Sequence, residues 1–292
     1  MKINSIIFIL SFILLFSCAT VETKVNPEIS SIEIDENKKF LTYLENDWQK
    51  TLDDNPLFAS YTGDKRNNNK ISSNDIDNFN KGKKSDEQSL KLLKSIDISK
   101  LSEENKLNYK LKEFDLLSSI GTKDFPTYYL RLNQRGGIQS FYETGNRLVY
   151  TSKQDYFDWL NRLKQFETNI YNALEINKEG LLNGHTQPKL VTRGVIAQLK
   201  SIIESDIDSN PYMKVFLDAD DSLLTKDEKA NLINEAKELI QNKINPAYEK
   251  LFNFLKDDYL PNSRDSIGIK DIPNGKEYYK FLAKFYTTTD LT

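Results

Sequence analysis

The amino-acid sequence predicts a mainly α-helical fold for residues 36–292, and three observations carry that prediction. Apolar residues recur at three- and four-residue spacing over long stretches, which puts them on one face of a helix. Capping residues stand where several of these stretches begin. Alternating strand patterns are scarce, the best being the weak one from Arg147 to Thr151. The chain has 292 residues and a formal net charge of −3, so it offers no general attraction to nucleic acid or anionic lipid. The length beyond the N-terminal segment suits one large domain or two small ones, and there is no internal repeat.

The elements in order begin with residues 1–17. Lys2 gives a short positive start, and Ile3 to Phe16 is mostly Ile, Leu and Phe. Such a run spans only about 21 Å as a helix, short of the roughly 30 Å hydrocarbon core of a bilayer. Its position and all-round apolarity predict a signal segment rather than a core helix. Leu15-Phe16-Ser17-Cys18 resembles the lipobox of bacterial lipoproteins, with Leu three before the cysteine and a small residue directly before it. Cys18 is then the lipidation site: its thiol takes a diacylglycerol group and its freed amine a further acyl chain such as palmitate. Two or three chains make an effectively permanent anchor. Cys18 is the single cysteine, so no intramolecular disulfide is possible, and a lone thiol outside the cytoplasm is best capped. The predicted location is the cell envelope, lipid-anchored to a membrane. Residues 18–35 are polar, contain Pro27, and read as a flexible tether.

From Asp35 to Leu52, Phe40, Tyr43, Leu44, Trp48 and Leu52 form a helical stripe. Arg66 to Asp86, rich in Asn, Ser, Lys and Asp, reads as a long surface loop. Ser102 opens a helix with Glu103 and Glu104 in its first turn, where carboxylates suit the helix dipole. Its stripe is Leu107, Leu111, Phe114 and Leu117, and Gly121 ends it. After Thr151-Ser152 comes the strongest pattern: Tyr156, Trp159, Leu160, Leu163, Phe166, Ile170 and Leu174. Thr225 with Glu228 forms a capping box ahead of Leu232, Ala236, Leu239 and Ile240. Pro246 should kink or restart that helix, which resumes through Tyr248, Leu251, Phe252 and Leu255. Asn274 with Glu277 reads as a looser cap before Tyr278, Phe281, Leu282 and Phe285.

The residues give no active site by themselves. His185, the single histidine, lies in the turn-like run Asn183 to Pro188. One His and no free thiolate cannot make a structural or catalytic zinc site of the usual kind, and there is no Gly-x-Ser-x-Gly elbow. Asp218 to Ser222 is acidic, but an EF-hand starting there would have Leu223 in place of its glycine and Lys229 in place of its last glutamate. Gly136-Gly137 lacks the strand–turn–helix setting of a phosphate cradle.

An ordered series of residues carries a family resemblance. It runs through Asn245-Pro246-Ala247-Tyr248, Tyr259-Leu260-Pro261, Arg264, Gly268, Pro273, Gly275 and Tyr278-Tyr279 to Thr287-Thr288-Thr289-Asp290-Leu291-Thr292. Trp48 with Asn55-Pro56, Tyr61-Thr62 and Gly63-Asp64, then Leu132-Asn133-Gln134, Asp155-Tyr156 and Leu160-Asn161-Arg162-Leu163, fit the same pattern. Together they resemble the bacterial lipoproteins of the domain of unknown function 885 family.

The resemblance implies a metallopeptidase-like, mainly helical architecture around a deep cleft, with zinc as the cofactor of a complete member. The family's metal site lies in a run of the type His-Glu-x-x-Pro-Gly-His-His, and this sequence contains no such run. The implied reading is an N-terminal half: a helical array forming one wall of the cleft, incomplete relative to the family and inactive alone. No metal ligand carries over. The missing C-terminal half is the implied partner and a peptide the implied substrate. Arg264, Tyr278 and Tyr279 are the candidate cleft residues, with Arg264 able to bind a substrate carboxylate bidentately. The alternative reading is a non-catalytic envelope lipoprotein that binds a peptide or a protein.

Overall fold

The computed structural model describes residues 35–289. The apolar run, Cys18, all of the tether before Asp35, and Asp290-Leu291-Thr292 lie outside the described residues. The described chain is mainly helical, and its only β-type pairing is a single parallel bridge between Pro188 and Arg264.

Three helices surround a small N-terminal core. Asp35 caps α1 (Glu36–Asp54) by accepting from Asn37 N at 2.9 Å. A short α2 (Pro56–Tyr61) starts with Pro56, whose missing N–H is no loss in a first turn. Then come α3 (Ile76–Leu93) and α4 (Glu103–Thr122). Phe40 and Tyr43 of α1, Leu93, Ile96 and Leu101, and Tyr109 and Leu116 of α4 pack together.

Two expectations fail in this part. The anticipated loop from Arg66 to Asp86 ends at Asp75, which caps α3 by accepting from Asn78 N at 2.6 Å. Its apolar residues sit at its two ends, Ile76 and Phe79 and then Leu90, Leu92 and Leu93, and the polar run between them reads as a loop. In α4, the anticipated stripe faces water: Leu107, Leu111, Phe114 and Leu117 are 48–59% exposed, and Tyr109 and Leu116 are buried instead.

The larger core is built on α5 (Tyr142–Arg147), α6 (Lys153–Leu182), α7 (Lys189–Ile203), α8 (Lys214–Leu217), α9 (Lys226–Leu239), α10 (Asn245–Phe254) and α11 (Leu260–Asn262). All seven apolar residues anticipated on α6 are buried in it. The capping box at α9 has both arms, Glu228 N to Thr225 Oγ1 at 3.2 Å and Thr225 N to Glu228 Oε2 at 2.9 Å. The helical path runs on through Pro246 without a break. A π-helical turn, Ile240–Ile244, precedes it, and a second, Leu255–Tyr259, precedes Pro261. A widened turn suits the missing N–H and the bulk of each ring. The candidate strand from Arg147 to Thr151 is absent: Arg147 ends α5. Its alternation arises because Leu148 and Tyr150 pack on the core while Val149 is exposed.

Buried polar bonds fasten the segment after α1 to α6. Arg162 is fully buried and donates to Lys70 O at 2.9 Å, Pro56 O at 3.1 Å and Ser60 Oγ at 2.6 Å. Asp155 accepts from Lys65 Nζ at 2.7 Å and from Thr151 N and Ser152 N at 2.9 Å each. Burial pushes the Asp155 carboxyl upward, but these bonds outweigh it and hold its pKa below the ordinary aspartate value.

The last helix, α12 (Gly275–Thr287), lies along α4. Phe285 stacks on Phe114 at 6.2 Å, and a Cβ on Gly121 would meet the Phe281 ring at 2.7 Å. Gly121 is therefore a close-approach residue inside α4, and the helix ends one residue later, at Thr122. Asn274 is not the anticipated side-chain cap. It sits in the left-handed region at φ 55° and caps through no side-chain bond, while Glu277 pairs with Lys280.

Candidate functional site

Residues 131–147 form the loop and short helix that shape one pocket. Asn133 sets the turn, its Oδ1 accepting from Arg135 N at 2.9 Å and its carbonyl accepting from Gly137 N at 3.0 Å. Gln139 Nε2 donates to Asn133 O at 2.9 Å and to Gln198 Oε1 at 2.8 Å, and Gln198 Nε2 donates to Gln134 O at 2.9 Å. A Cβ on Gly137 would stand 2.7 Å from Asn133 O, so a glycine is needed for this close turn. Below it, Tyr248 donates to Ile138 O at 2.9 Å and meets Tyr212 at 2.6 Å. Burial pushes both tyrosine pKa values far up, so they remain neutral hydrogen-bonding groups. The loop is thus held from three directions.

This rigid loop borders a pocket of about 480 Å³. Arg131 and Arg135 come from the loop and Arg147 from the end of α5. Phe141, Ala173 and Ile176 give it apolar wall, and Asn74 and Asn177 add amide groups. Arg147 is paired with Glu143 at 2.6 Å. Arg131 sits over the Phe79 ring, 5.7 Å from its centroid, and forms no ion pair among the described residues. Surrounding protein atoms desolvate its guanidinium and lower its pKa, though far too little to discharge an arginine. Asn177 is 4% exposed; its Nδ2 donates to Ala173 O at 2.7 Å, and its Oδ1 has no partner. Asn74 repeats this, with Nδ2 to Asn169 O at 2.9 Å and Oδ1 unpartnered. A carbonyl can only accept, so each amide is oriented with its nitrogen on the carbonyl and its oxygen left over.

The sequence-predicted cleft residues lie elsewhere. Arg264 Nε donates to Thr186 O at 2.9 Å, and its Nη1 donates to Ser266 O at 2.8 Å and Gly268 O at 2.7 Å. Its guanidinium therefore ties the 263–268 segment to the loop before α7. Tyr278 packs against Phe125 at 4.9 Å, and Tyr279 is 61% exposed. None of the three lines the pocket bordered by Arg131 and Arg135. His185 lies 5.3 Å from the Tyr129 ring, with Nδ1 3.2 Å from Asn183 O. At the acidic run, Lys229 Nζ donates to Ala219 O at 2.7 Å and to Asp221 Oδ1 at 2.6 Å. Among the described residues, no group of three or more His, Cys, Asp or Glu could hold a metal ion. The residues present do not fit the zinc that the family resemblance implies.

Sequence reasoning passed over Arg131, Arg135, Asn74 and Asn177. One signal was available: only seven of the 40 basic residues are arginine, and three of those fall between 131 and 147. The asparagines carry no such signal, because the sequence is rich in asparagine throughout.

Comparison with known proteins supports the fold. Residues 56–292 match the family described as bacterial protein of unknown function, DUF885. A crystal structure of a candidate lipoprotein from Colwellia psychrerythraea superposes with a TM-score of 0.75 at 17% identity. The match covers 89% of this chain and 47% of that one, so the chain spans about half the length of that solved protein. No curated protein matches.

Proposed function

Because this chain belongs to the DUF885 family of bacterial proteins, we propose that it is the substrate-holding N-terminal region of a metallopeptidase-like envelope lipoprotein, without hydrolytic chemistry of its own. Two observations support this reading: the family match over residues 56–292, and a superposition that covers 89% of this chain and 47% of the solved protein. The lipobox at Cys18 supplies the anchor, in keeping with the lipoprotein name of that solved protein. In this reading the helical array forms one wall of the proposed cleft, and of the three candidate cleft residues Tyr279 is the most exposed. The proposed partner is a C-terminal half that brings the metal site.

Support for an open side comes from α4. It is apolar on two faces, Tyr109 and Leu116 inward and Leu107, Leu111 and Leu117 outward, a pattern suited to a helix covered on both sides. The pocket beside Arg131 favours the second reading, a non-catalytic peptide-binding lipoprotein, and the two agree that the chain binds without cutting.

The test is hydrolysis of a mixed peptide library by the whole chain in the presence of zinc. Product formation at the rate of the blank is the expected result. Turnover that a chelator abolishes would overturn the proposal. Cys18→Ser should abolish lipid labelling and leave the precursor uncleaved; a serine variant still processed and membrane-bound contradicts the anchor.

A further inference from the structure

Helix α4 carries a seam along its outer face. Leu107, Leu111, Phe114, Ser118 and Gly121 follow one another at four, three, four and three residues, the spacing that lines up one side of a helix for a helical neighbour. The opposite side is fixed inward. Lys112 Nζ lies 2.7 Å from Asp47 Oδ2, Asn105 Nδ2 donates to Asn37 Oδ1 at 2.9 Å, and Tyr109 and Leu116 are buried. The seam therefore points away from the N-terminal core.

Half of this seam already holds a helix. Phe285 of α12 stacks on Phe114, with ring centroids 6.2 Å apart and planes 4° apart. Farther along, Gly121 lets Phe281 come so close that a Cβ there would stand 2.7 Å from its ring. Phe281 also meets Phe125 at 5.7 Å. The filled half is thus the one with small residues, Ser118 and Gly121. The other half has large ones, Leu107 and Leu111, which are 59% and 58% exposed. A single exposed leucine needs no explanation. Two successive positions of a seam whose next positions are occupied by a helix extend an existing helix–helix interface into open surface. Lys110 and Asp115, both exposed, flank the open half on opposite sides.

We infer that Leu107 and Leu111 seat a second amphipathic helix, which continues the α4 seam from where α12 leaves off. The apolar face of that helix has aliphatic side chains at three- and four-residue spacing. An acidic side chain on the Lys110 side and a basic one on the Asp115 side complete the match. Its source is the C-terminal partner region, and in that respect the inference rests on the function proposed above. The partner region thereby gains a defined place on this chain, beside α12 and on the N-terminal half of α4.

The experiment is titration of the whole chain with a labelled synthetic helix of three heptads, with leucine at every a and d position and glutamate and lysine on its two flanks. A peptide of the same composition with its leucines scattered round the helix is the control. The striped peptide should bind at least tenfold more tightly than the scattered one. Leu107→Glu with Leu111→Glu should remove at least nine-tenths of that affinity and leave the circular dichroism spectrum unchanged, since both side chains are exposed. Leu182→Glu, at a more exposed leucine of α6, should leave binding as it was. Equal binding of the two peptides, binding that survives the double substitution, or no binding at submillimolar concentration would each overturn the inference. A dimer of the chain alone, seen by sedimentation and dissolved by the double substitution, would give the seam to a second copy and overturn it too. Zinc-dependent peptide hydrolysis by this chain would instead overturn the proposed function and leave helix binding at the seam standing.

Discussion

Helix α6 buries Tyr156, Trp159, Leu163, Phe166 and Ile170 and also turns Arg162 and Asp155 into buried bonds, whereas α4 leaves Leu107, Leu111, Phe114 and Leu117 largely in water. Both helices show the spacing of an amphipathic helix in the sequence. The difference is what surrounds them: α6 is packed by α9, α10 and the loop 131–140, while α4 meets α3, α1 and the edge of α12. An apolar stripe identifies a helix but does not say which face meets the core. Of the two apolar faces of α4, the shorter one is buried, and the longer one is free except where Phe285 stacks on Phe114.

That contrast predicts very different responses to substitution. Phe166 is fully buried and stacks on Phe141 at 4.1 Å, so Phe166→Ala should destabilise the fold by about 3–5 kcal/mol in denaturant unfolding. A loss under about 1 kcal/mol would mean that α6 is not the centre of the core. Asp155→Asn should cost about 1–3 kcal/mol at neutral pH, because it removes the charge that Lys65 and two backbone N–H groups bind. The folded-state pKa of Asp155 is depressed, so its contribution is complete above the unfolded value near pH 4 and is lost as pH falls through the folded pKa. The wild type and the Asn variant should therefore converge in stability toward low pH. A difference that stays constant down to pH 2 would exclude this origin.

On α4 the effects should be small. Leu107→Gln, Leu111→Gln and Leu117→Gln should each change stability by no more than about 0.5 kcal/mol. Together they should reduce the binding of a hydrophobic dye, since a contiguous exposed apolar patch is what such dyes detect. By its spacing, the segment Tyr278 to Phe285 is the other apolar surface at risk. Phe281 and Phe285 are instead partly covered by Gly121 and Phe114, and the free apolar surface has moved to α4. Dye binding that survives the three substitutions would return it to α12.

Much of the helical layout was legible because its signals are local. The caps at Ser102 and Thr225 and the stripe on α6 stand at fixed offsets along the chain. Helix α3 was hidden because the polar run 80–89 separates the apolar residues at its two ends. Pro246 was legible as a disturbance of its helix, but the sequence could not show that a π turn would precede it. For the candidate pocket the difficulty was different. Arg131, Arg135, Asn74 and Asn177 come from three separated segments, and only tertiary packing leaves their guanidinium and amide oxygens without partners. Arg162 shows the converse: it stands in a quoted family motif, and its role is to fasten Pro56, Ser60 and Lys70 to α6.

We propose that this chain holds a substrate and supplies no metal chemistry. This is tested most directly by elemental analysis of the whole purified chain after incubation with zinc and exhaustive dialysis. With one histidine and no group of metal-ligating side chains among the described residues, zinc should be retained far below one ion per chain. One zinc per chain surviving dialysis, and lost on His185→Ala, would contradict the account.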